Sequence, residues 1–195
     1  MTLRVALFTA LLGATTARAG ELDLNLGLQT THTAWDDDHG GGPSFGATYM
    51  FRPWLGGSFI GKEHYATVDE RLMSYFSLNV VVRTAVERFR LSGNAGLVHQ
   101  HEETRAAYED QPLQSLFGVA DGMRHRMAGR AGAQLALPFR DRAKGDWYVA
   151  LDLDATYFAE QERGPRWMTS LGLSIGFTHD FAKKQAAPVA KVANR

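Results

Sequence analysis

The sequence predicts an all-β chain, an eight-stranded antiparallel up-and-down transmembrane β-barrel, preceded by a signal peptide. Three observations carry that expectation. Apolar and polar residues alternate with period 2 in segment after segment. The connections between those segments alternate between short and long. A secretory leader opens the chain, and after it no stretch approaches the roughly 18 apolar residues of a membrane helix.

Met1 to Arg4 is a short basic start, Val5 to Ala14 is largely apolar, and Ala17-Arg18-Ala19 puts small residues at −3 and −1 of a cut after Ala19. Residues 1–19 are therefore read as the leader and 20–181 as the barrel. Residues 182–195, basic, Ala-rich and interrupted by Pro188, are read as a disordered periplasmic tail. Losing Arg4 and Arg18 with the leader leaves 19 basic residues against 21 acidic ones, so a nucleic-acid partner is not expected. The absence of cysteine removes disulfides and thiolate chemistry.

The first segment, Glu21 to about Thr33, turns Leu22, Leu24, Leu26 and Leu28 one way and Glu21, Asp23, Asn25 and Gln29 the other. The second, Ser44 to Arg52, presents Phe45, Ala47, Tyr49 and Phe51. The third, Trp54 to about Tyr65, is Gly-rich, and either phase fits it. The fourth, Arg71 to Arg83, sets Leu72, Phe76, Leu78, Val80 and Val82 against Met73, Ser77, Asn79 and Arg83. The fifth, Glu87 to about Gln100, sets Phe89, Leu91, Ala95 and Leu97 against Arg88, Arg90, Ser92 and Asn94. The sixth, Arg124 to Pro138, sets Met127, Ala131, Leu135 and Leu137 against Arg126, Arg130 and Gln134. The seventh, Asp146 to Ala159, sets Trp147, Val149, Leu151, Leu153 and Tyr157 against Tyr148, Asp152, Asp154 and Thr156. The eighth, Arg166 to Phe181, alternates Trp167, Leu171, Leu173, Ile175 and Phe177 with small or polar residues.

In nearly every segment the polar face mixes small with charged residues, which suits the inside of a membrane barrel. The rival is a soluble, lipocalin-like barrel with Leu22, Leu24, Leu26, Leu135, Leu151 and Leu171 packed inside. Two signals argue against it. Connections after even-numbered segments are short (Arg52-Pro53, Thr84 to Val86, Phe139 to Gly145), and those after odd-numbered ones run longer (Ala34 to Pro43, Ala66 to Glu70, His101 to Met123, Glu160 to Pro165). Aromatics also fall at two levels, with Phe51, Trp54, Phe89, Trp147 and Phe181 at one end and Trp35, Phe45, Tyr157 and Trp167 at the other.

A leader, eight segments and a last strand running Leu171-Gly-Leu-Ser-Ile-Gly-Phe-Thr-His-Asp-Phe181 resemble the small eight-stranded outer-membrane barrels of the OmpX and OmpA-barrel class. The resemblance is architectural. It implies the outer membrane of a Gram-negative bacterium, with lipid and lipopolysaccharide as surroundings. It also implies an assembly signal for the barrel-assembly machinery at Phe181, here followed by 14 further residues.

An eight-stranded barrel is just wide enough for its own side chains, so a polar network of Arg83, Arg88, Arg90, Arg126, Arg130, Asp152 and Asp154 is expected to fill it. A short hairpin between segments six and seven brings Arg130 opposite or diagonal to Asp154. The connection 101–123, with Glu102, Glu103, Glu109, Asp110 and the apolar Leu113, Leu116, Phe117 and Val119, is long enough to add a helix or extend the hairpin, and it is the candidate for a surface ligand. Asp36 to His39 and His99 to Glu103 pair carboxylates with imidazoles at that same end, but solvated acidic runs are common, and no metal or other cofactor is expected. His125 and His179 have no serine at a spacing that suits nucleophile activation, so no catalytic residue is expected. The role this favours is structural and interactive, with a narrow channel or a lipid-modifying enzyme as alternatives.

Overall fold

A computed structural model describes residues 20–33, 38–67, 70–116, 119–142, 145–159 and 167–181. Its strands are β1 (Glu21–Thr33), β2 (His39–Arg52), β3 (Leu55–Ala66), β4 (Arg71–Val86), β5 (Phe89–Thr104), β6 (Arg124–Arg142), β7 (Gly145–Phe158) and β8 (Trp167–Asp180). Two short helices, α1 (Arg105–Asp110) and α2 (Pro112–Leu116), stand between β5 and β6. Each strand pairs antiparallel with its neighbour in sequence, and β8 returns to β1, so the barrel closes and leaves no edge. The expected leader 1–19, tail 182–195, Trp35 to Asp37, Phe117 and the connection 160–165 fall outside the described residues.

The outer wall is apolar and exposed. Leu26, Leu28, Leu78, Leu97 and Leu173 are all at least 67% accessible, while Asp23, Arg130 and Asp154 are at most 7%. Leu151 and Leu171, which a soluble barrel would bury, stand at 44% and 51%. Water does not tolerate a continuous apolar belt around a monomer, so the wall has the character of a lipid-facing surface. The rival soluble fold is overturned.

The connections follow parity more sharply than expected. β2–β3, β4–β5 and β6–β7 are each joined by two residues, while 34–38, 67–70, 105–123 and 159–166 cross the other end. Both chain ends of the barrel sit with the tight turns, where the Phe181 amide donates to the Gly20 carbonyl at 3.1 Å.

Several strand boundaries differ from expectation because ladder hydrogen bonds, not residue type, decide where a strand stops. Gly40 to Pro43, which look like loop residues, extend β2 along β1, with Gly42 opposite Gln29 and Pro43 opposite Leu28. On the β3 side the ladder lapses at Gly42 and Pro43, where proline has no N–H to give. Thr84 to Val86 belong to β4, so the turn is Glu87-Arg88, with Glu87 at φ 54°. β6 runs on to Arg142 through an irregularity between Pro138 and Arg140.

That turn corrects one expected interior residue. Arg88 is exposed, its guanidinium 5.4 Å from the Phe89 ring centroid, because period-2 alternation does not continue through a tight turn. The structure also sets the phase of β3. Ser58, Lys62 and His64 are buried in the interior, and Phe59 and Glu63 are exposed.

Candidate functional site: a layered interior and an external crown

Inward side chains stack in three charged layers. Nearest the tight turns, Arg83 of β4 bonds both Glu21 and Asp23 of β1, one through each terminal nitrogen. Arg90 of β5 adds Asp23 at 3.4 Å and Thr178 Oγ1 at 2.7 Å, and its guanidinium lies 4.5 Å from the Tyr148 ring centroid. Two acids thus meet two arginines across the lumen. Desolvation of such ions costs several kcal/mol each, which only close pairing and further hydrogen bonds offset.

The small residues of β8 serve this layer. A Cβ on Gly176 would come within 2.2 Å of the Tyr148 ring, so glycine there lets the buried tyrosine lie flat against the wall.

The middle layer centres on Asp154 of β7. It takes Lys62 of β3 and, at 3.4 Å, Arg130 Nη2 of β6, while the Tyr75 hydroxyl donates to it at 3.3 Å. Arg130 lies diagonal to Asp154, since the register puts Gly132 opposite Asp154. Arg130 also donates to Asn94 and, at 3.4 Å, to Asn79 Oδ1. Asp152 is held without a cation, accepting from Gln134 Nε2 at 2.9 Å and Ser174 Oγ at 2.7 Å. A polar cavity of about 50 Å³ remains between these layers, lined among others by Asn25, Gln29, Arg83 and Asn94. A water needs about 10–15 Å³ of such space, so this is room for a few waters.

The third layer is at the loop end. Glu102 of β5 is approached by Arg71 of β4, by Arg124 Nη2 at 2.8 Å and by Arg126 Nη1 at 3.7 Å, and Arg126 stacks 4.0 Å above the Phe158 ring centroid. Three arginines from two strands converge on this one carboxylate.

Above it, β5 and the connection 105–123 form a crown. β5 runs on to Thr104, whose hydroxyl accepts from the Ala107 amide at 3.3 Å and so caps α1. Ser115 of α2 donates to Glu103 Oε2 at 2.6 Å, and Gln111 Oε1 accepts from the Asp121 amide at 3.2 Å. Leu113 and Val119 stay 68% and 69% exposed. The connection both extends the hairpin and adds helix.

Of the expected interior residues, Arg83, Arg90, Arg126, Arg130, Asp152 and Asp154 lie inside, and Arg88 does not. Sequence reasoning missed Lys62, whose glycine-rich strand gave no phase. It also missed a group on the outer wall, where Glu63, Ser74, His101 and His125 share one cross-strand row. In that row the Ser74 hydroxyl donates to Glu63 Oε2 at 2.6 Å. His39, by contrast, lies beside His32 on the β1–β2 wall, their Nδ1 atoms 3.3 Å apart. The two expected clusters are therefore on different walls.

No protein-family model matches this chain, and no curated protein matches it. Solved structures do. The N-terminal β-barrel domain of Pseudomonas aeruginosa OprF aligns with TM-score 0.53 and 18% identity, over 82% of this chain and 99% of that one. Neisserial surface protein A aligns with TM-score 0.54 and 10% identity, over 83% and 97%. Ail, the attachment invasion locus protein of Yersinia pestis, in its complex with the heparin analogue sucrose octasulfate, aligns with TM-score 0.50 and 17% identity, over 82% and 98%. The fold is that of the eight-stranded outer-membrane barrels.

Proposed function

We propose that this chain is an integral barrel of a Gram-negative outer membrane whose role is structural and interactive, holding lipid with its wall and offering its crown as a binding or adhesive surface. The observation that carries this is the contrast between a lumen filled by paired charges and a loop end rich in exposed groups. Residues 1–19 serve as its leader and 182–195 as a periplasmic extension. Phe181, 51% exposed just beyond β8, is the residue the barrel-assembly machinery reads. Lipid and lipopolysaccharide are its surroundings, and the crown over 101–123 is where a surface ligand docks.

Support for a closed lumen comes from Asp154, which ties β3, β4, β6 and β7 together across the interior. Ions moving through would have to break that cluster, so no wide pore is part of the proposal. Planar-bilayer recording of the refolded protein tests it, and steady conductance at nanosiemens scale would replace this reading with a channel. No catalytic role is proposed: Ser74, the outer-wall serine that the register sets opposite His101, donates its hydrogen bond to Glu63.

The ligand reading draws on Arg124, about one third exposed beside the crown, and on exposed Leu113 and Val119. Ail, with which this chain shares a fold, was crystallised with a sulfated heparin analogue. Surface plasmon resonance of nanodisc-embedded protein against heparin and host matrix proteins is the measurement. Binding that survives replacement of 105–120 by a short turn removes the crown from the proposal.

A further inference from the structure

We propose that His99, His101 and His125 form a three-imidazole site for one divalent transition-metal ion, on the outer wall of the barrel at its loop end. The arrangement is built by the β5–β6 ladder. His99 and His101 are two residues apart on one strand and so share a face, and the register sets His125 directly across from His101. One ligand nitrogen from each ring lies within 4.8 Å of the others.

A tetrahedral ion with bonds of about 2.0–2.1 Å to nitrogen needs ligand atoms about 3.3–3.4 Å apart. His125 Nδ1 and His99 Nε2 are already 3.3 Å apart. Side-chain rotation has only to draw the longest separation in by about 1.4 Å to complete a tetrahedral face. The ring centroids stand 4.8, 4.8 and 5.4 Å apart, so no backbone movement is required.

The surroundings complete the case. His99 coordinates through Nε2, and its Nδ1 faces Met127 Sδ at 3.2 Å, a weak acceptor that fixes the tautomer and aims the lone pair at the ion. His99 and His101 are half-buried and His125 is exposed, so the ion has an approach. Three protein ligands with an open fourth position can take water or an anionic group of the surrounding lipid. Neutral imidazoles suit Cu²⁺, Ni²⁺ and Zn²⁺, while Ca²⁺ and Mg²⁺ need oxygen cages. The bound ion would clamp β5 to β6 at the foot of the crown. The site requires the barrel but not its adhesive role.

The experiment uses untagged full-length mature protein, refolded in detergent, with heat-modifiable gel mobility confirming the fold of every variant. Zn²⁺ is titrated calorimetrically, and Co²⁺ reports geometry through its visible absorption. One Zn²⁺ per chain, a tetrahedral Co²⁺ spectrum and no saturable heat with Ca²⁺ are expected. His99→Ala, His101→Ala and His125→Ala should each weaken Zn²⁺ binding by at least about tenfold, the scale seen even for outer-shell partners of a metal. A His32→Ala/His39→Ala double variant should bind as the parent does. If His101→Ala does not fold, His101→Phe keeps a ring at that point of the wall. Absence of saturable Zn²⁺ binding overturns the site, as does unchanged binding in a folded His101 variant or loss of binding in the His32/His39 variant.

Discussion

At the end that holds Gly20 and Phe181, three two-residue connections close the wall, and Glu21 and Asp23 meet Arg83 and Arg90 in equal number. At the other end the connections reach 19 residues, 105–123, and Arg71, Arg124 and Arg126 converge on Glu102. The same strands build both. The turn end pairs its acids with arginines inside the barrel, while the loop end gathers three imidazoles and exposed Leu113 and Val119. The proposed recognition surface thus stands apart from the paired ions beneath it, and substitutions should separate the two.

The largest effect belongs to the middle layer, where the lower half is held. Asp154→Ala leaves Lys62 and Arg130 facing each other without their shared carboxylate, which should cost about 3–5 kcal/mol of folding stability. Urea unfolding in vesicles measures it. Adding Lys62→Met should recover part of the loss, because one of the two stranded cations is then gone. A full-strength loss in the double variant would place the damage in packing instead.

Next comes the wall. Leu26→Arg at mid-strand of β1 puts a charge in hydrocarbon and should cost about 2–4 kcal/mol. Leu113→Arg is equally exposed but in the crown, and should leave the unfolding midpoint unchanged. Equal effects at the two sites would erase the distinction between wall and crown. Within the wall itself, Gly176→Val should cost about 1–3 kcal/mol by overpacking against Tyr148, while Gly129→Ala, with open space around its Cβ, should be neutral.

How far the sequence reaches follows from the same geometry. Alternation exposes the two faces wherever residues of opposite character take turns, as in β1 and β7. It fails in β3, where Gly56, Gly57 and Gly61 have no side chain to sort, and so Lys62 stayed hidden from the layer it completes. It fails again at Arg88, where the chain turns and the period ends. Register can be inferred across a short connection, which is how the sequence places Arg130 and Asp154 near each other in advance. Across the 19 residues of 105–123 it cannot, and the meeting of His101 with His125 depends on that register alone.

The smallest expected effect is the sharpest probe of the crown. Arg105 and Glu109 pair at 2.7 Å one helical turn apart on α1, both more than half exposed. Water screens such a pair, and holding two long side chains together offsets most of the attraction. The Thr104 cap and the Arg105 amide bond to the Glu70 carbonyl at 2.9 Å hold the start of α1 regardless. Arg105→Ala should therefore leave the urea midpoint of the barrel where it was, at low salt and high salt alike. Any change should appear only as faster proteolysis within 105–116, measured by limited chymotrypsin digestion of protein in nanodiscs. A shift in the global midpoint would mean that the crown and the barrel unfold as one unit, and that the loop end contributes to the stability here assigned to the layers beneath it.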